Sequence, residues 1–245
     1  MIHEHHRYGL KRSQFGELFL PDTGSHPPPF PVAVVIHGGF WKAQYSRKLM
    51  HALCHDLAGR GWAAWNLEYR RLGRLSGGGW PKTFDDVAEG IDHLHELLAP
   101  LDLARVVTIG HSAGGHLAAL AATRAEPRVP VTGVVAQAGV LDLERAWEWR
   151  LSNGIVRRLL GGAPEQQPER YAAASPAARL PLGVPVLLTH GGRDDIVPAA
   201  MSEAFHVAAR EAGDECELVV LPDKGHFGHI DPANPLWKAV VEWIR

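Results

Sequence analysis

Residues 110–114 read Gly-His-Ser-Ala-Gly, a G-x-S-x-G sequence that sets the Ser112 hydroxyl between two residues without side chains. A serine hydroxyl is a poor nucleophile at neutral pH. It attacks a carbonyl only when a base within hydrogen-bond reach takes its proton and a carboxylate orients that base. The chemistry offered is acyl transfer. An apolar run at 106–109 precedes the motif and a small-residue helix over 114–123 follows it, which is the strand, sharp turn and helix that a nucleophile elbow requires. An ordinary glycine-rich turn can carry the same letters; the context separates the two.

Both partners are available downstream, in the chain order serine, acid, histidine. After an apolar run at 184–189 comes His190-Gly-Gly-Arg-Asp194-Asp195. An acid on a glycine-rich loop at the carboxyl end of a strand stands where sites of this architecture collect their groups. Asp194 is the preferred acid, with Asp195 as the alternate. After the last apolar run, at 216–221, come Gly225, His226, Phe227, Gly228 and His229. His226 is the expected general base and His229 its competitor. The third component follows the first buried run: His37, Gly38, Gly39, Phe40 and Trp41. Attack on a carbonyl charges its oxygen, and amides fixed by a glycine turn, together with the Ala113 amide, can stabilise that charge.

The elements that must hold these groups alternate along the chain. Apolar runs at 32–36, 62–69, 106–109, 131–137, 184–189 and 216–221 read as strands. Between them Leu49, Leu53 and Leu57 recur at helical spacing, as do Val87, Ile91 and Leu94 behind Thr83 and Asp86, read as a capping-box start. A further helix is expected over 199–212. Short buried strands alternating with amphipathic helices imply parallel pairing with helices on both sheet faces. The expected fold class is therefore α/β, a three-layer sandwich around a mostly parallel central sheet, in one domain over 1–245. One stretch breaks the rhythm, at about 140–183, and is read as a short helical insertion near the site, with no large lid.

Composition removes other classes. Apolar residues make up 46% and charged residues 21%, with a formal net charge of -2, so no general attraction to nucleic acid or anionic lipid is expected. The first fifteen residues lack the apolar segment of a secretory signal and no window approaches a membrane span, which points to a cytoplasmic setting without a membrane partner. Cys54 and Cys216 are expected as buried free thiols. His51 and His55, four apart, lack the glutamate of a zinc motif and read as a solvated helix face; His3, His5 and His6 read as a mobile terminus. No metal and no cofactor is expected. Trp41, Trp80 and Trp147 fall in or near loops at the expected site and are read as walls for a small apolar or planar substrate.

Taken together, HGGFW at 37–41, GHSAGG at 110–115, HGGRDDIVP at 190–198 and GHF at 225–227 resemble the α/β-hydrolase superfamily. The likeness, over roughly residues 32–230, is nearest to its feruloyl-esterase-like, arylformamidase-like and prolyl-oligopeptidase-like members. The resemblance implies an α/β-hydrolase fold, Ser112, Asp194 and His226 as the catalytic set, and Gly39, Phe40 and Ala113 as the oxyanion amides. HGGFW departs from the HGGG of hormone-sensitive-lipase-like esterases, so their substrates do not carry over. The expected activity is hydrolysis of small short-chain or aryl carboxylic esters through an acyl-enzyme. An arylformamidase, a small-peptide hydrolase and an inactive binding module of the same fold are the alternatives.

Overall fold

A computed structural model describes residues 2–245. Its centre is one eight-stranded sheet in the order β1-β2-β4-β3-β5-β6-β7-β8. The strands β3 (Phe30–Ile36), β4 (Ala63–Glu68), β5 (Leu101–His111), β6 (Gly133–Gln137), β7 (Val186–Gly191) and β8 (Cys216–Leu221) run parallel. In β3, Val32, Val34 and Ile36 join one apolar cluster while Ala33 and Val35 join the other, the two-residue period of a strand buried on both faces. α1 (His51–Gly59) and α8 (Pro235–Trp243) cover one face. The opposite face carries α2 (Lys82–Asp92), α3 (Ala113–Ala121) and α7 (Ala200–Glu211). These are the three layers of an α/β-hydrolase fold.

The amino-terminal segment corrects the reading of a mobile terminus. β1 (Ile2–Arg7) and β2 (Phe15–Leu20) form an antiparallel hairpin that joins the sheet through β4. The polar letters of β1 hid it. His3 stacks on Phe19 at 4.2 Å and His5 on Phe15 at 4.3 Å, so the imidazoles serve as flat cover for an edge strand. Glu17, buried in β2, is paired with the Arg47 guanidinium at 2.8 Å and hydrogen-bonded to His51 Nε2 at 2.7 Å. His51 is thus spent on a carboxylate, and no group of three or more metal-binding side chains occurs among the described residues.

The expected capping box is not formed. Thr83 does not cap α2: its hydroxyl donates to the Arg70 carbonyl at 2.6 Å, and Asp86 is gripped by the Arg70 guanidinium at 2.5 Å. The pair fastens α2 to the chain leaving β4. The insertion at about 140–183 contains α4 (Leu143–Glu148), α5 (Leu151–Leu160) and α6 (Pro168–Ala174). It packs Leu143, Ile155, Leu159 and Tyr171 into the core. It stands beside the site segments, with the Val140 amide donating to the Ser112 carbonyl at 3.4 Å and Lys42 to the Ser152 hydroxyl at 2.7 Å, but does not line the cleft at Ser112. Among the described residues, no helix is long and apolar enough to cross a membrane.

Candidate active site

Ser112 occupies the turn between β5 and α3 with φ 58° and ψ −120°. That conformation strains a residue with a side chain, at a cost of about 1–3 kcal/mol that the surroundings must offset. They do so through its backbone: the Ser112 amide donates to Gln137 at 2.8 Å, and its carbonyl accepts from His116 at 3.1 Å. The flanking glycines are obligatory by space. A Cβ on Gly110 would run into the Gly114 carbonyl, and one on Gly114 into that of Ile36. Ser112 Oγ is left buried, with no hydrogen-bond partner among the described residues.

The aspartate and histidine meet. His226 donates its Nδ1–H to Asp194 Oδ2 at 2.6 Å, which fixes the tautomer and leaves the lone pair on Nε2. Asp194 also accepts from the amides of Ile196 and Val197, both at 2.9 Å, and from His190 Nε2 at 3.2 Å. Burial pushes its carboxyl pKa up, but the hydrogen bonds from His190 and His226 and the His226 charge outweigh this and hold it well below the usual range. Asp195, the alternate, is exposed. His229 is turned away, buried against the Thr189 hydroxyl at 3.1 Å. The expected serine–histidine–aspartate line is therefore formed in its histidine–aspartate half. Ser112 and His226 line the same cleft without the hydrogen bond that would complete it.

The glycine turn after β3 faces the same cleft. Gly39 has φ +106°, and a side chain there would strike the Tyr45 ring. Phe40 follows at φ 49° and Trp41 at φ 55°. The Gly39 and Phe40 amides donate to no acceptor among the described residues. Ala113 opens α3, where an amide has no partner within the helix. The three expected donors are thus free to bind.

The tryptophans are placed elsewhere, which corrects their expected role. Trp41 is wholly buried, its indole N–H donating to His116 Nδ1 at 3.2 Å, because the left-handed turn carries it down into the core. Trp80 leans on Phe84 at 5.2 Å. Trp147 lines a separate hollow of about 500 Å³ with Arg150 and Arg157. The cleft at Ser112, about 50 Å³, is walled by Phe40, Tyr45, Leu49, Ile196 and Phe227. Sequence reasoning also passed over His111 and His190, although both stand inside motifs already singled out.

The same motifs fall in a stretch with known relatives. The family model described as BD-FAE matches residues 17–208, well over half of the chain. The chain belongs to the BD-FAE family. Esterase LipQ of Mycobacterium tuberculosis is 29% identical over 198 residues, covering 75% of this chain and 46% of LipQ. Esterase LipC of the same organism is 26% identical over 226 residues, covering 84% of this chain and 55% of LipC. This BD-FAE chain thus spans about half the length of those two relatives. Among solved structures, the thermophilic esterase Est2 of Thermogutta terrifontis superposes with a TM-score of 0.76 at 25% identity, covering 98% of this chain and 89% of Est2.

Proposed function

We propose that this chain, as a single domain over 1–245, hydrolyses small carboxylic esters by acyl transfer through Ser112. The observation that carries the reading is the strained Ser112, its Oγ unbonded in a cleft shared with His226, whose far nitrogen is held by Asp194. Rotation of the Ser112 side chain brings Oγ to His226 Nε2. As Oγ bonds to the acyl carbon, Nε2 takes its proton, and Asp194 stabilises the imidazolium so formed. The amides of Gly39, Phe40 and Ala113 hold the developing oxyanion. Collapse expels the alcohol, which receives the proton from Nε2. Water, deprotonated by the same nitrogen, then releases the acid and restores the serine.

The names of the relatives, Esterase LipQ and Esterase LipC, support an ester over a formamide or peptide. The small cleft with Phe40, Tyr45 and Phe227 on its wall supports a short acyl or aryl group. The two buried cysteines, both free thiols, support a cytoplasmic setting. Turnover of p-nitrophenyl acetate, N-formyl aromatic amines and aminoacyl anilides is to be compared, with fluorophosphonate labelling of the parent and of Ser112→Ala. The ester should be turned over fastest and the variant should not label. A variant that labels as well as the parent refutes the assignment, and ester turnover far below the others refutes the substrate class.

A further inference from the structure

His37, the first residue of the glycine turn, has both ring nitrogens against acceptors. Its side chain is wholly buried, with Nε2 at 3.0 Å from Glu68 Oε1 and Nδ1 at 2.8 Å from the Gly38 carbonyl oxygen. A neutral imidazole carries one N–H and one lone pair. With Glu68 ionised by its other donors, the Arg71 guanidinium and the Arg47 and Tyr69 amides, either tautomer would press a lone pair against an oxygen, and turning the ring over would set carbons at both places. Only the imidazolium donates to both.

The surroundings supply the counter-charge. Burial would push the Glu68 carboxyl pKa up, but the His37 hydrogen bond, the charges of His37 and Arg71 and the Tyr69 amide hold it down. Arg71 Nε stands 3.2 Å from Glu68 Oε1, and the Arg47 amide donates to Oε2 at 3.3 Å. Tyr69 stacks on the His37 ring at 4.5 Å and donates its phenol to the His37 carbonyl at 2.8 Å. These are the charged and titratable groups that face the ring from β4 and the two segments after β3 and β4.

The position of the second acceptor gives the pair a consequence for the reaction. The Gly38 carbonyl and the Gly39 N–H belong to one peptide unit. A charged donor on that oxygen draws electron density through the amide and makes its N–H a stronger donor, the cooperative strengthening of linked hydrogen bonds. We propose that His37 is a fixed imidazolium that positions and polarises the Gly38–Gly39 peptide, sharpening the Gly39 amide as an oxyanion donor. His37 is a positioning residue, since it reaches the substrate only through that peptide. This inference rests on the acyl-transfer reading of the site.

Two measurements test it. In protein with ¹⁵N-labelled histidine, assigned by the signals missing from His37→Asn, both His37 ring nitrogens should read as protonated at pH 8; one nitrogen at the lone-pair shift overturns the proposal. With p-nitrophenyl acetate, His37→Asn and Glu68→Gln should lower kcat per fluorophosphonate-titrated site about tenfold with little change in KM, a partial loss of the effect of one oxyanion donor. Parent kcat per titrated site in both variants overturns the polarising role. If neither variant folds, the His37 ring signals of the labelled parent are assigned instead by through-bond correlation to its own backbone, and that spectrum, which needs no turnover, still decides. A parent that neither turns over ester nor labels refutes the acyl-transfer reading, while the spectrum still reports the charge on His37.

Discussion

His111 donates its Nε2–H to the main-chain carbonyl of His226 at 2.9 Å, with the two rings 4.5 Å apart. The residue before the candidate nucleophile thus grips the loop that carries the candidate base. Burial, followed by the neighbouring His226 charge, lowers the pKa of His111 to about 3. It therefore stays neutral when His226 takes up a proton, and two adjacent imidazolium ions are avoided. His111→Phe keeps a ring of similar bulk but strands the His226 carbonyl without its donor. The expected loss is about 1–3 kcal/mol of stability, read from urea unfolding, together with lower kcat. Unchanged stability would show that the carbonyl finds another partner.

Asp194 and Asp195 are adjacent in sequence and unlike in setting. Asp194 receives hydrogen bonds from two amides and from His190 and His226, whereas Asp195 is exposed. Asp194→Asn should lower kcat by about 10⁴-fold, the scale seen when the orienting carboxylate of such a triad is lost. Asp195→Asn should stay close to the parent. Equal effects of the two substitutions on ester turnover would remove Asp194 from the proposed mechanism.

Acid should weaken the fold well before the carboxylates titrate. Burial lowers the pKa of His111 to about 3 and that of His116 to about 4, from an ordinary value of 6.5. The unfolded chain therefore binds these protons first, so the stability contributed above pH 6.5 is lost as the pH falls toward those values. Between pH 6.5 and 5 each group costs about 2 kcal/mol. Asp194, whose folded value is depressed, contributes to the loss only below its unfolded value of about 3.9. Urea midpoints should drop clearly from pH 7 to pH 5. Equal midpoints would mean that the imidazoles are hydrated or already charged.

What the sequence reveals of this fold depends on how much each signal is local. Parallel strands such as β3 and β7 are visible because burial on both faces makes them near-continuous apolar runs, whereas β8, at the sheet edge and only part-buried, shows as a run broken by Glu217. β1 is invisible because an edge strand can cover its neighbour with histidine rings, a use of His3 and His5 that no apolar count detects. Asp86 reads as part of a capping box until the fold brings Arg70 beside it. In the candidate site, chain order and glycine spacing single out Ser112 and favour His226 but leave Asp194 and Asp195 open; they differ only in the fold, where Asp194 accepts from His226 and Asp195 is exposed. Which aromatic rings reach the cleft depends on backbone direction after Gly39, where left-handed residues send Trp41 inward. The double role of His37 needs the positions of two oxygens, neither of which has a sequence signature.

The aromatic wall gives a last expectation. Phe227 is 57% exposed at the rim of the cleft, next to the candidate base, and a ring kept in water at such a place is available to stack on a substrate. Trp147 borders a different hollow, and Trp80 is absent from the cleft lining. An aromatic pair is worth about 0.5–1.5 kcal/mol beyond its area, so Phe227→Ala should raise KM for an aryl ester roughly threefold to tenfold. For a short alkyl ester, which offers no ring, KM should change little. Trp80→Ala and Trp147→Ala should leave the ratio of the two KM values at that of the parent. A shift in that ratio for either tryptophan variant, with Phe227→Ala unaltered, would move the substrate's aryl group out of the Ser112 cleft.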